Sequence, residues 1–205
     1  MNNSICLALL ALAAAAPAAV SASSSVEVPE VSGQPFTIQL GEERKSRRLV
    51  DGQERIQTSR LIDENTIERS FGDGCTVTAP TKDIYAPNLT WENCGPAPWG
   101  TGKAVDMKIK GGLWPLKVGN VVHYQFKVVN SAGGSNPRAF RSCEVTEKVM
   151  IEAAGKQYPA YKTQCSEHNG KRTFFYAPSI EQTVRWEHDH NRNGLRISEF
   201  VERLQ

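Results

Sequence analysis

Basic residues are missing from the start of this chain: no Lys or Arg precedes Arg44. Catalytic signatures are equally scarce. No Ser stands in a GxSxG or SxxK setting and no free Cys accompanies a His motif, so the locally encoded forms of nucleophilic catalysis are absent. No two cysteines form a CxxC pair, which removes zinc-ribbon and thioredoxin-like redox chemistry. Only four histidines are present, and the formal net charge is +2, too near neutrality to steer the protein to nucleic acid or an anionic membrane. Before the C-terminus no segment combines an apolar stripe at helical spacing with a cap, which argues against a helical architecture.

What the N-terminus does contain is MNNSICLALLALAAAAPAAVSASSS. Ile5 to Val20 is an apolar run, and Val20-Ser21-Ala22 is the small-residue pattern at which a signal peptidase cleaves, so residues 1–22 are expected to be a signal peptide. The run is interrupted by Pro17 and falls short of the roughly 20 apolar residues a transmembrane helix needs. Cys6 lies inside this run and is read as carrying no lipid. Removing the first 22 of the 205 residues leaves 183, the size of one ordinary domain. Residues 23–35 (SSSVEVPEVSGQP) are small, polar and interrupted by proline, as expected of a flexible leader, and residues 36–205 are read as a single domain. The four cysteines beyond the signal, Cys75, Cys94, Cys143 and Cys165, imply two disulfides in an exported protein, with three pairings formally open.

Glycine-centred punctuation organises the rest. Asp51-Gly52, Gly72-Asp73-Gly74, Gly133-Gly134, Ala154-Gly155, Asn169-Gly170 and Asn193-Gly194 each separate runs rich in β-branched and aromatic residues. Asn-Gly and Asp-Gly favour the positive φ of type I′ turns, whose twist matches paired strands, so a succession of hairpins is predicted. Period two is clear in VVHYQFKVV, where Val122, Tyr124, Phe126 and Val128 share one face and Val121, His123, Gln125 and Lys127 the other. Residues 112–205 therefore read as an antiparallel meander. Residues 36–111 read as a less regular β half, with strands at 36–40, 66–71, 75–79 and 104–109 and a charged stretch, GEERKSRRLVDGQERIQTSRLIDEN, whose register the pattern leaves open. A three-residue loop at 153–155 would set Ile151 against Gln157, Glu147 against Tyr161 and Cys143 against Cys165. The same local closure is expected for Cys75 and Cys94 around the loop PTKDIYAP. Each bond would close a loop of about twenty residues, worth ~3 kcal/mol in the chain-entropy account.

HDHNRNGLRISEF looks like a calcium loop. Aligning Asp189 to position 1 places Asn191 at 3, Asn193 at 5 and Gly194 at 6, but puts Phe200, which has no oxygen, at position 12, where a bidentate Glu is required. Arg192 and Arg196 would repel the ion, so the stretch is read as a hairpin turn at Asn193-Gly194. Ile197, Phe200, Val201 and Leu204 fall at i, i+3, i+4 and i+7, which leaves a short C-terminal helix as an alternative to a last strand. His188 and His190 would project from one strand face, as two metal ligands can; without a third donor in sequence they are read as solvent-facing residues near a hairpin tip, and no metal or cofactor is expected. The cluster EERKSRRLVDGQER has nearly balanced charges and reads as a solvated face. Among the aromatics, Trp186 and Phe174 are expected in the core, whereas Trp99 and Trp114, in the Gly/Pro-flanked segments PAPWGTG and GGLWPLKVGN, are expected as exposed binding platforms.

The pieces GLWPLKVGN, RSCEV, YPAYKTQC and RTFFYAPSIEQTVRWEHD resemble a loose group of uncharacterised exported bacterial β-sheet proteins that share a WPLxVG start and a YxPxxxxxVxxE strand near the end. That resemblance implies a curled antiparallel sheet in the periplasm, similar in outline to lipoprotein-carrier half-barrels, and assigns no activity. The expected protein is thus all-β, an antiparallel meander forming a curled sheet or half-open barrel with two local disulfides. It is expected to be exported to the periplasm or exterior and to act as a non-enzymatic binding or scaffolding component with an envelope protein or small ligand as partner. The alternatives are a carrier of a lipid or small apolar ligand in a half-barrel cavity, and a metal-dependent enzyme using His188 and His190.

Overall fold

A computed structural model describes residues 26–31 and 38–204. The expected signal peptide, residues 1–22, lies outside them, as do residues 36 and 37 of the strand expected at 36–40, whose described part, 38–40, forms no strand beyond an isolated bridge of Leu40 with Leu61. The described strands are β1 (Glu43–Val50), β2 (Gln53–Asp63), β3 (Thr66–Ser70), β4 (Thr76–Pro80), β5 (Thr90–Glu92) and β6 (Gly102–Gly111). They continue with β7 (Val121–Asn130), β8 (Ser135–Ala153), β9 (Lys156–Glu167), β10 (Gly170–Ala177), β11 (Gln182–His190) and β12 (Gly194–Leu204). The one helical piece among the described residues is a 3₁₀ turn, Pro178–Ile180.

Each strand pairs antiparallel with its sequence neighbour, and β12 pairs with β1, so the sheet closes into a twelve-stranded barrel. This corrects the half-open sheet expected above. The closing strand comes from the charged stretch whose register the sequence left open: Arg44, Ser46 and Arg48 of β1 point inward while Lys45 and Arg47 point outward. Polar residues on both faces erase the alternation by which a strand is usually found. The barrel is thinnest between β5 and β6, joined only through Thr90 with Lys103 and Trp91 with Gly102.

Local chemistry explains most hairpins. At Asp51-Gly52 and Ala154-Gly155 both residues have positive φ, the type I′ geometry. The latter is a two-residue turn, so near it Ile151 faces Tyr158 and Glu147 faces Lys162, one residue off the expected register. A bulge between Val145 and Glu147 then inserts one residue into β8, and Cys143 faces Cys165 after all. The two register errors cancel at the disulfide. Both expected disulfides, Cys143–Cys165 and Cys75–Cys94, are formed. The helix considered for the C-terminus is instead β12. Phe200 faces Arg48 and Glu202 faces Arg47, leaving Val201 as an extra residue in the strand. This insertion produces the helix-like spacing of Phe200, Val201 and Leu204.

The expected period-two face of β7 holds: Val122, Tyr124, Phe126 and Val128 are all buried. Around them the barrel is filled by its own chain. The segment between β4 and β5 sends in Tyr85 (0% exposed) and Ala86, and that between β6 and β7 sends in Leu113 and Leu116. Residues 26–31, expected as flexible leader, are part of this packing: Val28 is 3% exposed, Val26 and Val31 lie against the same core, and Lys148 Nζ donates to the Val28 carbonyl at 3.2 Å. A second apolar cluster gathers Ala153, Ala160, Phe175, Val184 and Phe200. Neighbouring residues such as Ala160 and Tyr161, or Phe175 and Tyr176, belong to different clusters, so the sheet around β9 and β10 buries both faces.

Two measurements follow. Replacing Cys143 and Cys165 together by Ala should lower stability in urea unfolding by about 3 kcal/mol; a loss well under 1 kcal/mol would mean that the barrel already restrains this hairpin. Ala154 has φ of 47°, strained for a residue with a Cβ. Ala154→Asn should therefore raise stability by roughly 1 kcal/mol in the same assay.

Candidate functional site

Charged side chains converge inside one end of the barrel. The register turns Tyr124 (β7), Arg141 (β8), Glu167 (β9), Arg172 (β10) and His188 (β11) inward at the same end. Glu167 Oε1 lies 2.6 Å from Arg141 Nε and 2.8 Å from Arg172 Nε. Neither nitrogen makes an aligned hydrogen bond to it, so the contact is chiefly coulombic. Burial raises the Glu167 pKa, but the two guanidinium groups outweigh burial and hold it below its usual value. Arg141 Nη1 also donates to the Tyr85 carbonyl at 2.6 Å, tying the network to the segment that plugs the barrel. On the same segment Asp83 accepts a short hydrogen bond from the Tyr124 hydroxyl and one from Tyr85 N at 3.0 Å. Burial pushes Asp83 upward against these bonds, and burial followed by the Asp83 charge pushes Tyr124 upward, so the phenol keeps its proton.

Outside this network the wall carries a groove of about 350 Å³ across β6, β7 and β8. Tyr124 and Arg141 line both the groove and the interior network. Its outer row is Lys110, His123 and Ser142, which face one another across three strands. Ser142 Oγ lies 2.8 Å from His123 Nδ1. A second row is Lys108, Gln125 and Phe140, of which Phe140 is exposed; Ile109, opposite Tyr124, is exposed on the other face of β6. A Ser–His hydrogen bond is the start of a nucleophilic dyad, which needs a carboxylate to orient and stabilise the imidazolium. Here the third member of the row is the Lys110 ammonium, not a carboxylate. To an anionic or polar partner the row offers the Lys110 ammonium and whichever proton the Ser142–His123 bond leaves free, the Ser142 hydroxyl or the His123 Nε2–H.

The residues singled out in the sequence fall in several places. His188 and His190 do share a face, their rings 5.3 Å apart, but they point inward and His188 is half-buried, which corrects the solvent-facing reading. His190 Nδ1 accepts from Arg192 N at 3.1 Å and Asn193 N at 3.3 Å, so this histidine holds the β11–β12 turn. Among the described residues no group of three or more His, Cys, Asp or Glu side chains is arranged to hold a metal. The apparent calcium loop is a hairpin: residues 191–193 join β11 to β12 and Gly194 takes the positive φ. Trp99 is exposed, at 48%. Trp114 is partly buried, where exposure was expected: it packs on the core with its ring edge against Tyr176, centroids 5.3 Å apart. Phe174 lies against the core beside Tyr85, and Trp186 faces it from β11. The buried ion network was missed. Its signal is the pair Glu167 and Arg172 flanking the Asn169-Gly170 turn; Arg141 meets them from within β8, opposite Glu167.

His188 provides a pH test. Burial first, and then the charge of Arg172, depress its pKa to about 4, although Glu167 acts the other way. An unfolded His titrates near 6.5, so between about pH 6.5 and 4 the unfolded chain binds the extra proton and stability falls as pH falls. Urea midpoints of wild type and His188→Gln at pH 7, 5.5 and 4 should converge toward acid as wild type loses this contribution; Asp83 titrates in both proteins and drops out of the difference, while Glu167 is coupled to His188 and titrates as part of it. Parallel curves would refute the assignment.

No family model matches the sequence, and no curated protein matches it. Among solved structures, the hypothetical lipoprotein YmcC from Escherichia coli (K12) is similar at 10% identity and a TM-score of 0.46, over 82% of this chain and 92% of that one.

Proposed function

We propose that this protein is an exported, non-enzymatic binding or scaffolding component of the bacterial envelope, and that it meets its partner through the outer wall rather than by carrying a ligand in the barrel. The observation that carries this reading is the filled interior: Tyr85, Ala86, Leu113, Leu116 and Val28 occupy the space an apolar ligand would need. For carriage, the 81–89 segment would have to leave, breaking the Arg141 bond to the Tyr85 carbonyl and the Tyr124 bond to Asp83. Two disulfides support an oxidising compartment, since cytosolic thiols are kept reduced.

The groove across β6–β8 is the favoured contact. It combines the two lysines Lys108 and Lys110 with the exposed Phe140. This suits a partner with acidic groups beside apolar ones. Much of the remaining wall carries paired charges, including Arg60 with Glu68, Lys162 with Glu147, and Arg185 with Glu187 and Glu199. Such neutralised rows attract little and are worth little to stability.

A photo-crosslinking residue at Phe140 should yield a discrete adduct in exporting cells, whereas one at Leu195, more open to solvent but distant in the sheet, should not. Lys108→Glu with Lys110→Glu should reduce the adduct severalfold. A one-to-one lipid in organic extracts of the purified protein, with no adduct at Phe140, would instead establish the carrier.

A further inference from the structure

The opposite side of the barrel interior sets polar groups among apolar ones such as Val50, Ile67 and Phe200. Along β1 the inward positions are Arg44, Ser46, Arg48 and Val50, and from β12 Ser198 points to the same space. Arg48 is 3% exposed. Its Nε donates to Ser198 Oγ at 2.9 Å and its Nη1 to the Thr183 carbonyl at 3.2 Å. Its Nη2 is buried and meets no acceptor. None of the ion pairs among the described residues includes Arg48. Glu199 favours its charge, but that carboxylate is bound to Arg185 at 3.0 Å.

A second guanidinium worsens the position. Arg69 faces inward from β3, opposite Val77 and Ser59, and lies near enough to repel Arg48. Burial, then that repulsion, lowers the Arg48 pKa to about 10, and burial alone lowers Arg69 to about 10; both remain cationic at neutral pH. Stranding a buried charge without a counter-ion costs far more than one hydrogen bond returns. Arginine cannot escape by releasing its proton, as lysine or histidine can. Neutral acceptors satisfy two of its nitrogens but leave the charge in place.

We propose that the interior around Arg48 is an oxyanion-binding site, in which the free Nη2 of Arg48 and the hydroxyl of Ser198 donate to a carboxylate, phosphate or sulfate oxygen and Arg69 supplies the second positive charge. Ser198 Oγ already accepts from Arg48, so its own proton is available, and Ser46, 9% exposed, adds a hydroxyl on the same inner row. The barrel end on this side carries a groove of about 510 Å³ lined by Glu42, Glu43, Arg44, Arg203 and Leu204. Arg44 sits four residues before Arg48 on one face of β1, about 13 Å along the strand. Arg44 is itself paired with Glu42 at 2.7 Å, so Arg48 and Arg69 alone supply the charge of the proposed site. This site is independent of the outer-wall groove, and either can fail without the other.

The test uses the full mature chain, purified without phosphate or sulfate, and thermal unfolding at neutral pH in chloride, phosphate, sulfate or acetate at matched ionic strength. At least one oxyanion should raise Tm by ~2–4 °C or more over chloride. Arg48→Met should abolish the rise, and Arg47→Met, whose native side chain points outward to Glu202, should retain it. Should Arg48→Met not fold, Arg48→Lys keeps the charge but loses the forked donors, and should weaken the apparent anion affinity about tenfold. Protein already loaded would show no rise but would release an anion on denaturation: recovery in water identifies a free ion, and recovery in chloroform a lipid head group. Equal Tm in all four salts with no releasable anion would show that water alone serves Arg48. A rise that survives in Arg48→Met would show a general ionic effect. Either result overturns the proposal.

Discussion

The pairing of β1 with β12 is the constraint on which the rest depends. Once these strands meet, the sheet has an inside, and every second residue of each strand must be accommodated there. Water cannot freely solvate those residues, so each inward polar group needs a partner within the barrel. The two halves of the interior meet this demand differently. On the β7–β10 side the chain supplies filler from its own loops, chiefly Tyr85, Leu113 and Leu116. On the β1–β3 and β12 side the inward positions include Arg44, Ser46, Arg48, Arg69 and Ser198, and the demand is for charge and hydrogen bonds.

The same residue types carry different weight on the two surfaces of the wall. Outward pairs such as Arg60 with Glu68 are solvated and replaceable. The inward triad of Arg141, Glu167 and Arg172 is buried, so losing one member would leave the others uncompensated in a medium that penalises charge. Through the Tyr85 carbonyl and Asp83, this network also fixes the segment that keeps the barrel full. Packing, electrostatics and the absence of an open lumen on that side are thus one arrangement.

Legibility followed local physics. The β7 face was readable because a strand buried on one side alternates, and the hairpins because type I′ turns require residues that tolerate positive φ. Cys143 opposite Cys165 was reached through a loop one residue too long, compensated by an unforeseen bulge near Thr146. A bulge leaves no mark in a sequence beyond one residue too many, and the one at Val201 made a strand resemble a helix. Residues 26–31 looked like a leader because they are short and interrupted by proline; only the groove they occupy shows why Val28 is buried. Trp114 looked exposed from its Gly/Pro flanks, yet those flanks turn the chain back into the core.

Sequence by itself determined the all-β character, the hairpin order, the two sulfur bridges and the lack of a locally encoded catalytic motif, because each rests on neighbouring residues or on short closures. Closure of the barrel, burial of both sheet faces around β9 and β10, and the gathering of Arg141, Glu167, Arg172 and His188 were decided only in three dimensions. Those features join residues on different strands, and their energies depend on distance and on exclusion of water, neither of which is written along the chain.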